Sequence, residues 1–82
     1  MRRFHQKEAF KVANNEPVIR FLFEEMFKQQ MTQLDMAERS GIFKETLKDW
    51  RLRTMPRIND VNSALNVLGF ELTVKRIKDA RD

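Results

Sequence analysis

Between Lys44 and Arg57 the chain gathers groups suited to holding a polyanion: Lys44, Lys48, Arg51, Arg53 and Arg57 stand against only Glu45 and Asp49. Lysine and arginine are pure donors, fit for phosphate oxygens and other anionic acceptors. Groups for bond-making chemistry are scarce by comparison. The chain has no cysteine, so it offers no thiol nucleophile, no thiolate zinc site and no disulfide framework. His5 is the single histidine and there is no tyrosine, which leaves few groups for proton transfer near neutral pH. His5 lies in a polar stretch and reads as solvent-exposed, and the five methionines carry no metal-site spacing. No carboxylate pair is set against a histidine, a nucleophile or a glycine-rich phosphate loop. An enzyme is not expected, and neither a metal nor a cofactor is implied.

At 82 residues, 41% apolar and 34% charged, the chain has room for one soluble domain with a marginal core, which a partner chain would help to stabilise. No apolar run approaches the roughly 18 residues of a membrane span, and no apolar stretch follows the basic start MRRFHQKEAF, so neither a membrane anchor nor a secretory signal is expected. The sixteen Lys and Arg against twelve Asp and Glu leave a formal +4. The distribution is uneven: the stretch with Arg2, Arg3, Lys7 and Lys11 is basic, residues 16–40 are acidic, and residues 44–57 are basic again. One face meeting a polyanion would give this pattern, and so would an ordinary solvated surface.

These groups need a scaffold, and the punctuation marks its joints at Pro17, Gly41, Pro56 and Gly69. Residues 1–15 read as an arm or short helix in which Phe4 and Phe10 can dock on the body. Its cations either follow a DNA backbone or minor groove or stay solvated. Pro17 after Asn15 or Glu16 starts a first helix running to about Gln29, with Ile19, Leu22, Phe23, Met26 and Phe27 at helical spacing. Phe21, Phe23 and Phe27 read as core, with apolar surplus on a second face. Thr32 with Asp35 forms a capping-box pattern for a second helix, Gln33 to Ser40, burying Met36 and Ala37. Gly41 suits the left-handed residue that ends it. Ile42 and Leu47 are spaced as a hydrophobic staple around a third helix, Lys44 to Leu52. Asn59 is the expected cap of a fourth, with Val61, Ala64, Leu65 and Leu68 at i, i+3, i+4 and i+7. Gly69 stops it, and Phe70 is placed to fold back on Leu65. Phe70, Leu72 and Val74 then alternate with Glu71, Thr73 and Lys75 in the rhythm of a strand. A lone strand in a helical chain needs a partner, and the simplest is the same strand of a second copy.

From Gln33 to Trp50 the spacing is specific. A small residue, Ala37, falls where two helices would cross, Gly41 falls at the tight turn, and Met36, Ile42, Leu47 and Trp50 can lock the second helix onto the body: the physical recipe of a helix-turn-helix. MTQLDMAERSG, IFKETLKDW and RLRTMP followed by INDVNSALNVLG resemble the lambda-repressor-like family of Cro, phage-repressor and XRE-type regulators, over residues 18–74. The fold this implies is all-α, a four- to five-helix DNA-binding domain over residues 16–69, followed by a C-terminal strand and basic tail over 70–82.

The function the resemblance implies is sequence-specific binding of double-stranded DNA by a transcriptional regulator. Carried over by position, Lys44, Glu45, Lys48 and Asp49 would face base edges. Thr32 and Gln33 would meet a phosphate at the start of the second helix, and Arg51, Arg53 and Arg57 would clamp phosphates without reading sequence. Two departures stand out. Phe43 occupies the position where the family caps the recognition helix with serine or threonine; losing that cap costs about 1 kcal/mol, and the ring is left to meet a thymine methyl or pack sideways. The acids Glu45 and Asp49 repel the duplex unless each finds a cytosine. The expected assembly is a homodimer through Phe70, Leu72 and Val74, repressing from a palindromic operator, with control by occupancy because there is no room for an effector domain. A second reading is the antitoxin of a toxin–antitoxin module, which binds a toxin protein and represses its own operon. A third is an adaptor that no longer binds DNA. The family is mostly bacterial and phage-borne, which implies a cytoplasmic location.

Overall fold

A computed structural model describes residues 10–74. Four helices make up the regular structure of this span: α1 (Pro17–Lys28), α2 (Gln33–Ser40), α3 (Lys44–Leu52) and α4 (Ile58–Val67). The class is all-α, as the periodicities indicate, and no strand occurs among the described residues. Residues 70–74, expected as a strand, belong to no regular element within the single chain; residues 1–9 and the tail from Lys75, including Phe4 and His5, lie outside the described residues.

One core joins all four helices. Ile19, Leu22, Phe23 and Met26 from α1 meet Met36 from α2, Leu47 and Trp50 from α3, and Val61, Ala64 and Leu65 from α4, with Met31 and Leu68 closing the edges. The three turn devices seen in the sequence are formed. Thr32 Oγ1 accepts from the Asp35 N–H (3.0 Å) while Asp35 Oδ2 accepts from the Thr32 N–H (3.2 Å), a complete capping box on α2. Gly41 stands at φ 81° and ends α2; Ile42 and Leu47 then occupy the staple positions around the start of α3, Leu47 fully buried and Ile42 packed on the core. At the end of α4 the Phe70 N–H donates to the Leu65 carbonyl (2.9 Å) and the Gly69 N–H to that of Asn66 (3.1 Å), the two bonds of a Schellman motif. The Phe70 ring itself leans edge-on against Phe21 of α1, with centroids 5.0 Å apart.

One cap falls elsewhere than expected. The α4 cap residue is Arg57, with no side-chain cap bond, and Asn59 lies inside the helix. The Val61 N–H bonds to the Arg57 carbonyl (3.0 Å), so the first turn of α4 is already closed ahead of Asn59.

The end of α1 carries a Schellman motif that the sequence does not advertise. Met31 N–H donates to Met26 O (2.8 Å) and Gln30 N–H to Phe27 O (3.0 Å), with Gln30 in the left-handed region at φ 57°. A side chain there is strained, while Met31 and Met26 are both buried and hold the motif closed. Gln30→Gly is therefore expected to raise stability by about 1 kcal/mol, the conformational penalty of a non-glycine residue at this position, read as a higher urea midpoint at unchanged slope. A lower midpoint would show that the penalty is absent.

Candidate nucleic-acid interface

The best-organised surface lies on α3. Leu47 is fully buried and Trp50 is 2% exposed, so both face the core, and at 3.6 residues per turn Lys44, Glu45, Lys48 and Asp49 occupy the opposite side. All four are exposed and none makes an ion pair or side-chain hydrogen bond among the described residues. The structure thus brings the four residues expected to read bases onto one open helix face. Phe43 is the α3 cap residue, makes no side-chain cap bond, and is 78% exposed. It has therefore not packed sideways, and its ring stands in solvent at the same end of α3 as Lys44.

The residues expected to hold phosphates separate into two kinds. Arg53, just past α3, and Arg57, just before α4, are exposed and make no side-chain hydrogen bond among the described residues, which leaves their guanidinium groups free for an anion. Arg51 is half-buried: its Nε donates to Gln33 Oε1 (3.0 Å) and one Nη to the Lys11 carbonyl (2.8 Å). It is a tie between α2, α3 and the N-terminal segment rather than a free clamp. Because arginine only donates, the bond turns the Gln33 oxygen inward and leaves its amide nitrogen for an outside acceptor. At the same helix start Thr32 Oγ1 serves the cap, and the Asp35 carboxylate stands beside it. A negative charge there weakens the helix end as an anion site and leaves the Gln33 side-chain amide as the donor that an anion could reach.

Sequence reasoning missed the residue that seats α3. Asn14 is 7% exposed and its Nδ2 donates to the Trp50 carbonyl (2.8 Å) and the Thr54 carbonyl (3.0 Å), while its Oδ1 accepts from the Glu16 N–H (3.0 Å). The Ala13 and Asn14 N–H groups both reach the Arg51 carbonyl (3.0 and 3.1 Å). Residues 10–14 therefore strap the C-terminal end of α3, satisfying carbonyls that a helix end leaves orphaned. Arg20 of α1 secures the strap by donating to the Val12 and Asn14 carbonyls (3.2 and 3.3 Å). Phe10 anchors its start, edge-on to Phe23 at 5.5 Å. The only hint in the sequence is the Asn14-Asn15 pair before Glu16-Pro17, which signals a turn and says nothing about a partner 36 residues away.

No group of three or more His, Cys, Asp or Glu able to hold a metal ion occurs among the described residues, and none of the helices is long and apolar enough to cross a membrane. Comparison of the chain with protein families, curated proteins and solved structures finds no match.

Proposed function

We propose that the chain is a helix-turn-helix transcriptional regulator that binds double-stranded DNA sequence-specifically, as a homodimer on a palindromic operator. What carries the reading is the α3 face: Lys44, Glu45, Lys48 and Asp49 stand exposed together on the side opposite Leu47 and Trp50, with Arg53 and Arg57 free in the loop that follows. The alternation of cation and carboxylate suits base edges better than phosphates, since a helix meant only to neutralise the backbone has no use for Glu45 and Asp49. The Gln33 side-chain amide at the start of α2 would add a backbone contact, and two copies of α3 about 34 Å apart would enter successive major grooves on one side of the duplex.

Selection of bound duplexes from a random DNA pool tests this. An enriched palindrome whose half-sites lie about one helical turn apart is the expected result. Absence of any enriched sequence at low salt, where phosphate contacts are strongest, would remove DNA recognition and leave a protein partner such as a toxin as the function to pursue.

A further inference from the structure

The backbone that leads into α3 is fixed on both sides of Phe43. Ser40 Oγ donates to the Met36 carbonyl (2.7 Å) and accepts from the Ile42 N–H (3.1 Å), and the Gly41 N–H donates to the Ala37 carbonyl (3.0 Å). On the helix side, the Phe43 carbonyl accepts from the Leu47 N–H (3.1 Å). Ile42 and Leu47 already occupy the core side of this turn, and the Phe43 ring is left 78% exposed. Side chains lean toward the N-terminus of their helix, so a ring on the cap residue stands ahead of the first turn of α3.

An exposed aromatic ring is a common anchor for a protein partner, but the surroundings of this one have the wrong composition. Interface cores gather aromatic and aliphatic groups and are depleted of charge. The outer face of α3 holds Lys44, Glu45, Lys48 and Asp49, and no large apolar residue of that helix is exposed beside them. A single apolar group among charges suits a partner that is itself polar with isolated apolar spots. The major groove of a duplex is such a surface: every base pair shows donors or acceptors, and thymine alone adds a methyl group. Pressing a phenyl ring on the amino group of cytosine or adenine strips water from a donor and gives no bond in return.

We propose that Phe43 is a specificity-determining residue that reads the 5-methyl group of a thymine in each half-site, next to the base that Lys44 meets. The inference rests on the DNA-binding reading and deepens it by naming one base and the group on it that is recognised. Entry of a helix into the groove by its N-terminal residues brings the cap position to the base edges together with Lys44. The fold forgoes a stabilising device at this position. A serine or threonine there would accept from N–H groups of the first turn, and Phe43 makes no such bond. Recognition and stability therefore pull position 43 in opposite directions, and a substitution can separate them.

The test uses the duplex that selection enriches, remade with uracil in place of thymine at one position after another, a change that removes only the methyl group. With the wild-type chain, one such position should weaken binding about fourfold for each half-site changed, the worth of one buried methyl group. Phe43→Ala should bind the thymine and uracil forms of that position alike, closing a double-mutant cycle between the ring and the methyl group. Phe43→Ser should lose the same discrimination and yet unfold at a higher urea midpoint, because the cap is restored, so lost discrimination is not lost folding. Equal binding of thymine and uracil duplexes by the wild-type chain at every position would overturn the proposal and leave the ring to a protein partner. So would an enriched operator with no thymine in its half-sites, or a uracil penalty that persists undiminished in Phe43→Ala, since another group then reads the methyl. Absence of any enriched duplex is the failure of DNA recognition itself, and it differs visibly from an operator that is bound but indifferent to its methyl groups.

Discussion

Asn14→Ala is expected to lower the stability of the fold by about 3 kcal/mol, the largest loss predicted for any single polar side chain in this protein. The substitution removes three hydrogen bonds at once and leaves the Trp50 and Thr54 carbonyls without their donor at a buried helix end. An orphaned buried acceptor costs about 1–3 kcal/mol, more than the net contribution of the bond itself. Small domains at the low end hold about 5 kcal/mol in total, so the variant should keep about 2 kcal/mol and unfold at low urea. Trp50 is buried in the same structure and its fluorescence reports the loss, read as a fall in urea midpoint. Asn14→Asp should be worse, because a carboxylate has no donor to offer and places a charge against two carbonyl oxygens. A shift below about 0.5 kcal/mol for Asn14→Ala, the size of an ordinary surface substitution, would show that the strap does not hold α3. The functional consequence follows from where the strap attaches: it grips the end of the helix whose outer face carries the candidate base contacts.

The Lys44→Ala/Lys48→Ala pair should weaken binding to a selected operator by about 10²- to 10³-fold, taking each base contact as about 1–3 kcal/mol with imperfect additivity. Both side chains are exposed and free of partners among the described residues, so the fold should be unaffected. The informative comparison is with Arg53→Ala/Arg57→Ala. If lysines of α3 read bases and the arginines of the following loop hold phosphates, the lysine pair lowers affinity for the operator far more than for unrelated DNA. The arginine pair should lower both alike and reduce the salt slope by about two. Titrations by fluorescence anisotropy at several salt concentrations separate the cases, and equal losses on both DNAs for the lysine pair would assign α3 to the backbone instead.

What was legible in the sequence was short-range. The Thr32–Asp35 capping box, Pro17 at the first turn, Gly41 and Gly69 at left-handed turns, and the buried stripes of α1 and α4 each depend on residues within a turn or two of one another, and each is formed. The exposed set on α3 followed from the same logic, because fixing Leu47 and Trp50 inward turns Lys44, Glu45, Lys48 and Asp49 outward. The α4 cap falls at Arg57 rather than Asn59: a capping preference contributes only about 1 kcal/mol, and here the helix begins one turn ahead of Val61 without any side-chain cap bond. Gln30 gave no signal at all, because glutamine is an uncommon left-handed residue and is held there by the burial of Met26 and Met31.

By itself the sequence determined four helices, their order, the start of α2 and the stops at Gly41 and Gly69, and which face of α1 and α4 is apolar, because helical periodicity and capping are local and their energies are carried by neighbours. Tertiary structure alone decided the roles of the long-range polar groups. Arg51 has the charge of a phosphate clamp but spends it on Gln33 and Lys11; Asn14 looks like a turn residue but completes α3; Asn62 and Asn66 look like solvated helix surface but hold the chain after Gly69 alongside α4. A polar side chain has no periodicity that announces its partner. Its partner is whichever unsatisfied group the packed helices bring within reach, and that is settled only when the core has closed.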